Sequence, residues 1–269
     1  MVRNPVVAGQ FYSGEKGPLK REIEALIDLK AKKEDAIGVI SPHAGYTYSG
    51  PVAASVLSAI STKKTYVILG PNHTGLGEMF ALDTNDSWRT PLGDIKIDRA
   101  LADAIKKNCK YIKDDPLAHA HEHSIEVQLP FLQALQKDFK IVPIVISYAD
   151  LAIYRDIGKA IAKSIKDLKI EREVTIIASS DMTHYESHES AKKKDFIAIE
   201  AIIKLDEARL VEKVLELGIT MCGYAPAAIM MVAAKGLGAK SARLVKYQTS
   251  GDTSGDYSSV VGYAGLIIN

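Results

Sequence analysis

Only two cysteines, Cys109 and Cys222, stand in the 269-residue chain, and they lie far apart. Two such residues make no disulfide framework, which excludes the small stapled folds of secreted proteins and fits a reducing compartment. Long apolar runs are missing too. The longest, around Ala225 to Ala234, is Met-rich and falls short of the roughly 18–20 residues that a membrane span needs. The opening stretch MVRNPVVAGQFY has no continuous apolar core, so no secretory signal is expected. These absences point to the cytoplasm and to no membrane partner. Neither sign of charge is in excess: 34 Lys and Arg stand against 33 Asp and Glu, for a net charge of +1. That balance gives no reason to expect nucleic acid as a partner. The one short basic run, Lys192 to Lys194, reads as a solvated helix face. Repeats, low-complexity stretches and long linkers are absent, so residues 1–269 are expected to form one domain.

What is present is an ordinary globular composition, 47% hydrophobic and 25% charged. A chain of this length buries a sufficient core without metal staples, so any metal it holds serves chemistry rather than folding. Apolar β-rich runs alternate with helical patterns, which predicts an α/β layered domain with a mixed central sheet flanked by helices. Strands are expected at Ala36–Ser41, Thr65–Leu69, Ile141–Ser147, Val174–Ala178, Leu244–Tyr247 and Val260–Ile268, with Pro143 suiting an edge or a bulge. Met79–Leu82 and the Gly93-Asp94 turn before Ile95–Ile97 suggest a short antiparallel excursion. Helices are expected over Pro18–Lys32, after Gly50 with Pro51 in the first turn, and over Arg99–Lys107. Others cover Ser124–Gln136, broken or restarted at Pro130, then Leu151–Leu168, Ala191–Leu205, Glu207–Leu217 and Pro226–Lys235.

The seven histidines are the most informative residues. His43 and His73 each follow a buried β-run directly, in loops rich in Gly and Pro. In open α/β sheets ligands bind in the crevice beyond the carboxyl ends of the strands, and neutral imidazole is the commonest metal ligand. One such histidine reads as a hydrogen-bonding loop residue; two at matched strand ends favour a shared site. Cys222 precedes a helix that opens near Pro226, where the helix dipole favours thiolate, a metal ligand or a nucleophile. Cys109, near the end of an amphipathic helix, reads as a small buried hydrophobe. Asp181 and His184 follow a third buried strand, and an Asp that orients an imidazole is a frequent way to build a general base. Among His119, His121 and His123, the first two read as polar loop and His123 as a site wall, while His188 reads as surface.

The chain resembles the Memo family, also called protein B of the AMMECR1–Memo–radical SAM group, which is similar in fold to class III extradiol ring-cleavage dioxygenases. The motifs that carry the likeness run nearly end to end. They are Arg3-x-Pro5-x-x-Ala8-Gly9-x-Phe11-Tyr12, Pro42-His43-Ala44-Gly45-Tyr46-x-Tyr48-Ser49-Gly50 and Leu69-Gly70-Pro71-Asn72-His73-Thr74-Gly75. Thr90-Pro91-Leu92-Gly93, Glu122-His123-Ser124-Ile125-Glu126-x-Gln128-Leu129-Pro130-Phe131 and Ser179-Ser180-Asp181-Met182-Thr183-His184 follow. Cys222-Gly223 and Ser250-Gly251-Asp252-x-Ser254-Gly255-Asp256-Tyr257-Ser258-Ser259-Val260-Val261-Gly262-Tyr263 close the set. Ser13 departs from a common Pro and touches no site residue. In the related dioxygenases two His and one Glu hold iron and another His is the acid/base. The resemblance places the two His on His43 and His73, puts Cys222 where the Glu stands, and makes His184 the acid/base. It also implies a functional link to AMMECR1-like and radical SAM proteins.

The function expected is that of a metal-dependent oxidoreductase. His43, His73 and Cys222 would hold Fe(II), or copper or zinc given the soft thiolate. His184, oriented by Asp181, would move protons, and Tyr46, Tyr48, Asn72 and His123 would line a crevice for a small molecule or peptide. Two other classes stay open: a hydrolase or transferase with Cys222 as nucleophile and His184 or His43 as base, and a non-catalytic module that binds a peptide, a phosphopeptide or an anion.

Overall fold

The computed structural model describes residues 1–269 and has the expected α/β architecture. Twelve strands form one mixed sheet: β1 (Val2–Arg3), β2 (Gly38–Ser41), β3 (Thr65–Pro71), β4 (Phe80–Leu82), β5 (Ser87–Thr90), β6 (Gly93–Ile97), β7 (Lys113–Asp114), β8 (Lys140–Ile146), β9 (Val174–Ser179), β10 (His184–Glu186), β11 (Ala242–Thr249) and β12 (Val260–Ile268). The main path runs β1-β5-β6-β8-β3-β9-β2-β12-β10, with β11 on β12 and β4 on β8 and β7. Its centre, β8-β3-β9-β2, is parallel, in register from Thr65 opposite Lys140 and Val174. These strands are continuous apolar runs, as burial on both faces requires. Alternation assigns the faces: Val67 and Leu69 point into one hydrophobic core, Tyr66 and Ile68 into the other.

The first face is covered by α3 (Arg99–Asn108), α6 (Leu151–Asp167), α8 (Glu207–Glu216) and α9 (Tyr224–Gly236), and the second by α1 (Lys16–Glu24), α2 (Tyr46–Ser58) and α5 (Leu129–Leu135). The helix α7 (His188–Ile203) packs on β12, and the single-turn α4 (Leu117–Ala120) precedes Glu122. No helix is long and apolar enough to cross a membrane.

Three expectations need correction. Pro143 lies in the interior strand β8, not on an edge or bulge. The neighbours on its outer flank change there, from β6 opposite Lys140 and Ile141 to β4 opposite Ile144 to Ile146. A missing N–H costs least at such a break in the ladder. The helix α2 starts at Tyr46, so Pro51 sits inside it rather than in its first turn. The helix α1 stops at Glu24 instead of Lys32; beyond it Asp28 leaves the helix path, donating its N–H to Ser58 Oγ and accepting the Lys30 N–H on its carboxylate. The break at Pro130 is as expected: a short 3-10 turn, Glu126–Gln128, precedes α5.

Candidate metal centre

The carboxyl ends of β2, β3 and β9 deliver His43, His73 and Asp181 to one edge of the sheet, and the turn before α9 brings Cys222 there. The donor atoms of His43, His73 and Cys222 lie within 4.8 Å of one another. Cys222 Sγ is 3.3 Å from His43 Nε2, and the two imidazole rings are 5.1 Å apart at 74°. Two ligands of a single ion at ordinary Zn–S and Zn–N lengths stand about 3.1–3.6 Å apart, so this pair is spaced as an edge of a coordination polyhedron.

Both imidazole tautomers are set by their neighbours. Ser179 donates its one hydroxyl hydrogen to the Ser124 carbonyl (2.7 Å) and accepts from Gln128 Nε2 (2.8 Å). Its remaining lone pair takes the Nδ1–H of His43 at 2.9 Å, which leaves His43 Nε2 as a lone pair facing the sulfur. His43 is fully buried, and burial followed by the nearby His73 and His123 holds its pKa well below the ordinary value. It is therefore neutral, the ligand form. His73 donates Nδ1–H to Glu122 (2.9 Å) and makes no hydrogen bond through Nε2. Carboxylate–imidazole pairing of this kind orients metal-bound histidines and raises their basicity.

Glu122 is the residue that sequence reasoning missed. Its buried carboxylate also accepts the N–H groups of His73 (2.6 Å), His123 (2.9 Å) and Ser124 (2.8 Å). Burial alone would raise its pKa, but the bond and charge of His73 and the Ser124 N–H outweigh it and hold it at about 2. Arg3 ties this segment down: it is paired with Glu126 and donates to the carbonyls of His119 (3.1 Å) and Glu122. Glu126 further accepts Tyr12 OH (2.7 Å) and the N–H groups of Val6 and Val7. The amino-terminal motif thus fastens the loop that orients His73.

Two glycines allow the approach. A Cβ on Gly70 would stand 2.4 Å from Ser124 Oγ, and one on Gly223 2.4 Å from the Ser179 carbonyl oxygen. Either would displace the backbone on which Glu122 or Cys222 rides.

Several expected roles change. Asp181 does not orient His184. It accepts the backbone N–H of His43 (2.8 Å) and its own N–H lies 3.3 Å from Cys222 Sγ, so it shapes the His43–Cys222 pair instead. His184 opens β10 and donates Nδ1–H to the Thr220 carbonyl (2.9 Å), with Nε2 left free as an acceptor. Tyr46 does not line the crevice: it is buried, stacked on Phe131 at 4.4 Å and bonded to the Val127 carbonyl. Asn72 is spent on its own loop, accepting from Thr74 and Gly75 and donating to Leu76. His123 does stand at the cluster, stacked on His73 at 4.8 Å and edge-on to Phe11. Tyr48 lies exposed in the first turn of α2. His119, expected as polar loop, is fully buried with Nε2 bonded to the Ala81 carbonyl, while His121 is exposed. His188 is half-buried against Thr249 rather than free surface. Cys222 without a metal is no thiolate: burial first, and then the Asp181 carboxylate, push its thiol pKa up, and its proton has His43 Nε2 to point at.

The donor set fits a transition metal: two oriented imidazole nitrogens and one sulfur converge, and His73 Nε2 has no other partner. A family model described as Memo-like protein matches residues 3–267. A MEMO1 family protein of Methanopyrus kandleri is 47% identical over 281 residues, covering 99% of each chain. Another, of Methanocaldococcus jannaschii, is 44% identical over 286 residues with the same coverage. Among solved structures, an uncharacterized protein of Escherichia coli K12 shares the fold at a TM-score of 0.57 and 12% identity, covering 86% of this chain and 98% of that one.

Proposed function

The chain belongs to the Memo-like protein family, and from that premise we propose that it is a metal-dependent oxidoreductase whose single ion is held by His43, His73 and Cys222. One observation carries the reading: three soft or borderline donors meet within 4.8 Å, and independent hydrogen bonds aim both imidazoles at the meeting point. The ion favoured is Fe(II), with copper and zinc as the alternatives a thiolate admits. When bound, iron or copper would supply electron exchange, whereas zinc, which has no redox chemistry, would only polarise a substrate atom.

The protein's own groups supply the rest. The Asp181 N–H aimed at the Cys222 sulfur withdraws density from it and fixes its position. His184, whose tautomer is fixed by the Thr220 carbonyl, accepts a proton through Nε2 from a substrate in the crevice and later returns it. His123 and Tyr48 form part of the crevice wall. Proton uptake by Cys222 opposes the nucleophile reading, since an alkylatable thiolate is what burial and Asp181 suppress.

The test is metal analysis of anaerobically purified protein and of Cys222→Ala. Stoichiometric metal lost in the variant supports the reading, and wild-type protein with no affinity for iron, copper or zinc refutes it. With a metal bound, His184→Asn should keep the metal and lose turnover.

A further inference from the structure

The edge of the sheet that carries the cluster differs in chemistry from the rest of the molecule. Seven stretches form it: residues 42–50, 71–80, 115–124, 147–150, 180–188, 220–224 and 250–259, which follow the strands there or carry Glu122 and Cys222. Not one of the chain's 34 Lys and Arg residues falls in any of them. Each of the four exposed tyrosines among the chain's 12 does: Tyr48 (42%), Tyr148 (60%), Tyr185 (79%) and Tyr257 (48%). Tyr148 stacks on Tyr224, two residues from Cys222, at 5.3 Å and 8°. Tyr185 follows His184, their rings 5.8 Å apart, and its backbone is held at φ 59° although its side chain is almost wholly in solvent. Glu78, Asp150, Asp252 and Asp256 are exposed on the same stretches, and the carboxylates of Glu78 and Asp150 bond to nothing in the chain. The one lysine seen reaching the edge, Lys194, is paired with Glu186.

Exposed tyrosine gives large, rigid contact area at low entropic cost and marks interfaces more than solvated surface. Its ring faces attract Lys and Arg side chains, and a rim with carboxylates and no free cation adds to that attraction while repelling phosphate. We propose that this rim is a docking surface for a polypeptide bearing Lys or Arg side chains, which lays a residue of its chain over the crevice. The docking surface stands apart from the metal; that the docked residue is the centre's substrate rests on the oxidoreductase reading.

The experiment titrates a fluorescent peptide of Lys, Arg, Gly and Ser into metal-free and iron-loaded protein. Matched peptides carry Glu, or phosphotyrosine, and spermine serves as a free polyamine. Hydrogen exchange maps the footprint. The expected result is salt-sensitive binding of the basic peptide to both forms, with protection in residues 147–150 and 184–186. Tyr185→Ala and Tyr148→Ala should each weaken it about tenfold, with the fold checked by unfolding, and Glu78→Gln with Asp150→Asn should flatten the salt dependence. Equal binding of the acidic or phosphorylated peptide, a footprint elsewhere, protection by spermine alone equal to that by the peptide, or occupation of the rim by a second copy in sedimentation would overturn the proposal. Binding with no metal affinity sinks the oxidoreductase reading and leaves the surface; a metal centre without peptide binding does the reverse.

Discussion

Replacing Glu122 by Gln keeps the side-chain shape and removes the charge on which four N–H donors converge. One oxygen takes His73 Nδ1–H and the N–H groups of His123 and Ser124; the other takes the His73 N–H. An amide offers only one acceptor, so its NH2 must face the single-donor side and leave the buried His73 N–H unpaired. An unsatisfied buried donor costs about 1–3 kcal/mol, and bonds to a charged acceptor are worth about 1.5–3 kcal/mol each against roughly 1 for neutral ones, so a loss of about 2–5 kcal/mol is expected. Linkage gives a similar figure. Glu122 moves from an ordinary 4.5 to about 2 on folding, which corresponds to about 3 kcal/mol. A depressed carboxylate contributes this stability in full above pH 4.5 and loses it as pH falls through about 2. The gap between wild type and Glu122→Gln in urea unfolding should therefore be widest at pH 6 and close toward pH 2. Metal affinity, measured by chelator competition at neutral pH, should fall about 10–100-fold as His73 loses its orienting partner. A stability gap that does not narrow in acid, together with unchanged affinity, would refute the reasoning.

Ser179→Ala removes the acceptor that fixes the His43 tautomer, leaves the Ser124 carbonyl without the Ser179 donor and takes one bond from Gln128 Nε2, which keeps the Pro42 carbonyl; a destabilisation of about 2 kcal/mol by urea titration is expected, with metal affinity down about tenfold. Gly223→Ala drives a methyl into the Ser179 carbonyl and should cost about 1–3 kcal/mol and abolish stoichiometric metal uptake, read by denaturant midpoint and metal content. Cys222 is a thiol in the metal-free protein, and although burial opposes it, the bond and charge of Glu122 raise the His73 pKa above its ordinary value, so metal binding should release between about one and two protons at pH 7 and tighten at least about tenfold per pH unit. Calorimetry in buffers of different ionisation heat measures this, and zero proton release would show a preformed thiolate.

The strand ends were legible because Val, Ile and Leu runs stop abruptly at Pro42-His43 and Gly70-Pro71-Asn72-His73, and chain order alone puts such ends on one edge of a parallel sheet. Cys222 was legible through the Pro that opens α9. Glu122 was not: its partners come from residues 73 and 122–124 crossing in space, and its local sequence, polar and His-rich, looks solvated. The signal that was available is the absence of any Lys or Arg between Lys113 and Lys137 around Glu122 and Glu126. The spacing pairs Asp181 with His184, but β9 ends at Ser179, before Asp181, and His184 opens β10, so non-helical chain carries the two side chains to different partners. Tyr46 was misread because a Gly-rich loop precedes it; the helix begins on it and turns its ring into the core.

X-ray absorption on iron-loaded wild type and Cys222→Ser tests the central claim most directly. One sulfur scatterer near about 2.3 Å with nitrogen at about 2.0–2.1 Å, and loss of the sulfur alone in the variant, is the result expected. A coordination sphere of oxygen and nitrogen only, identical in both proteins, would contradict it.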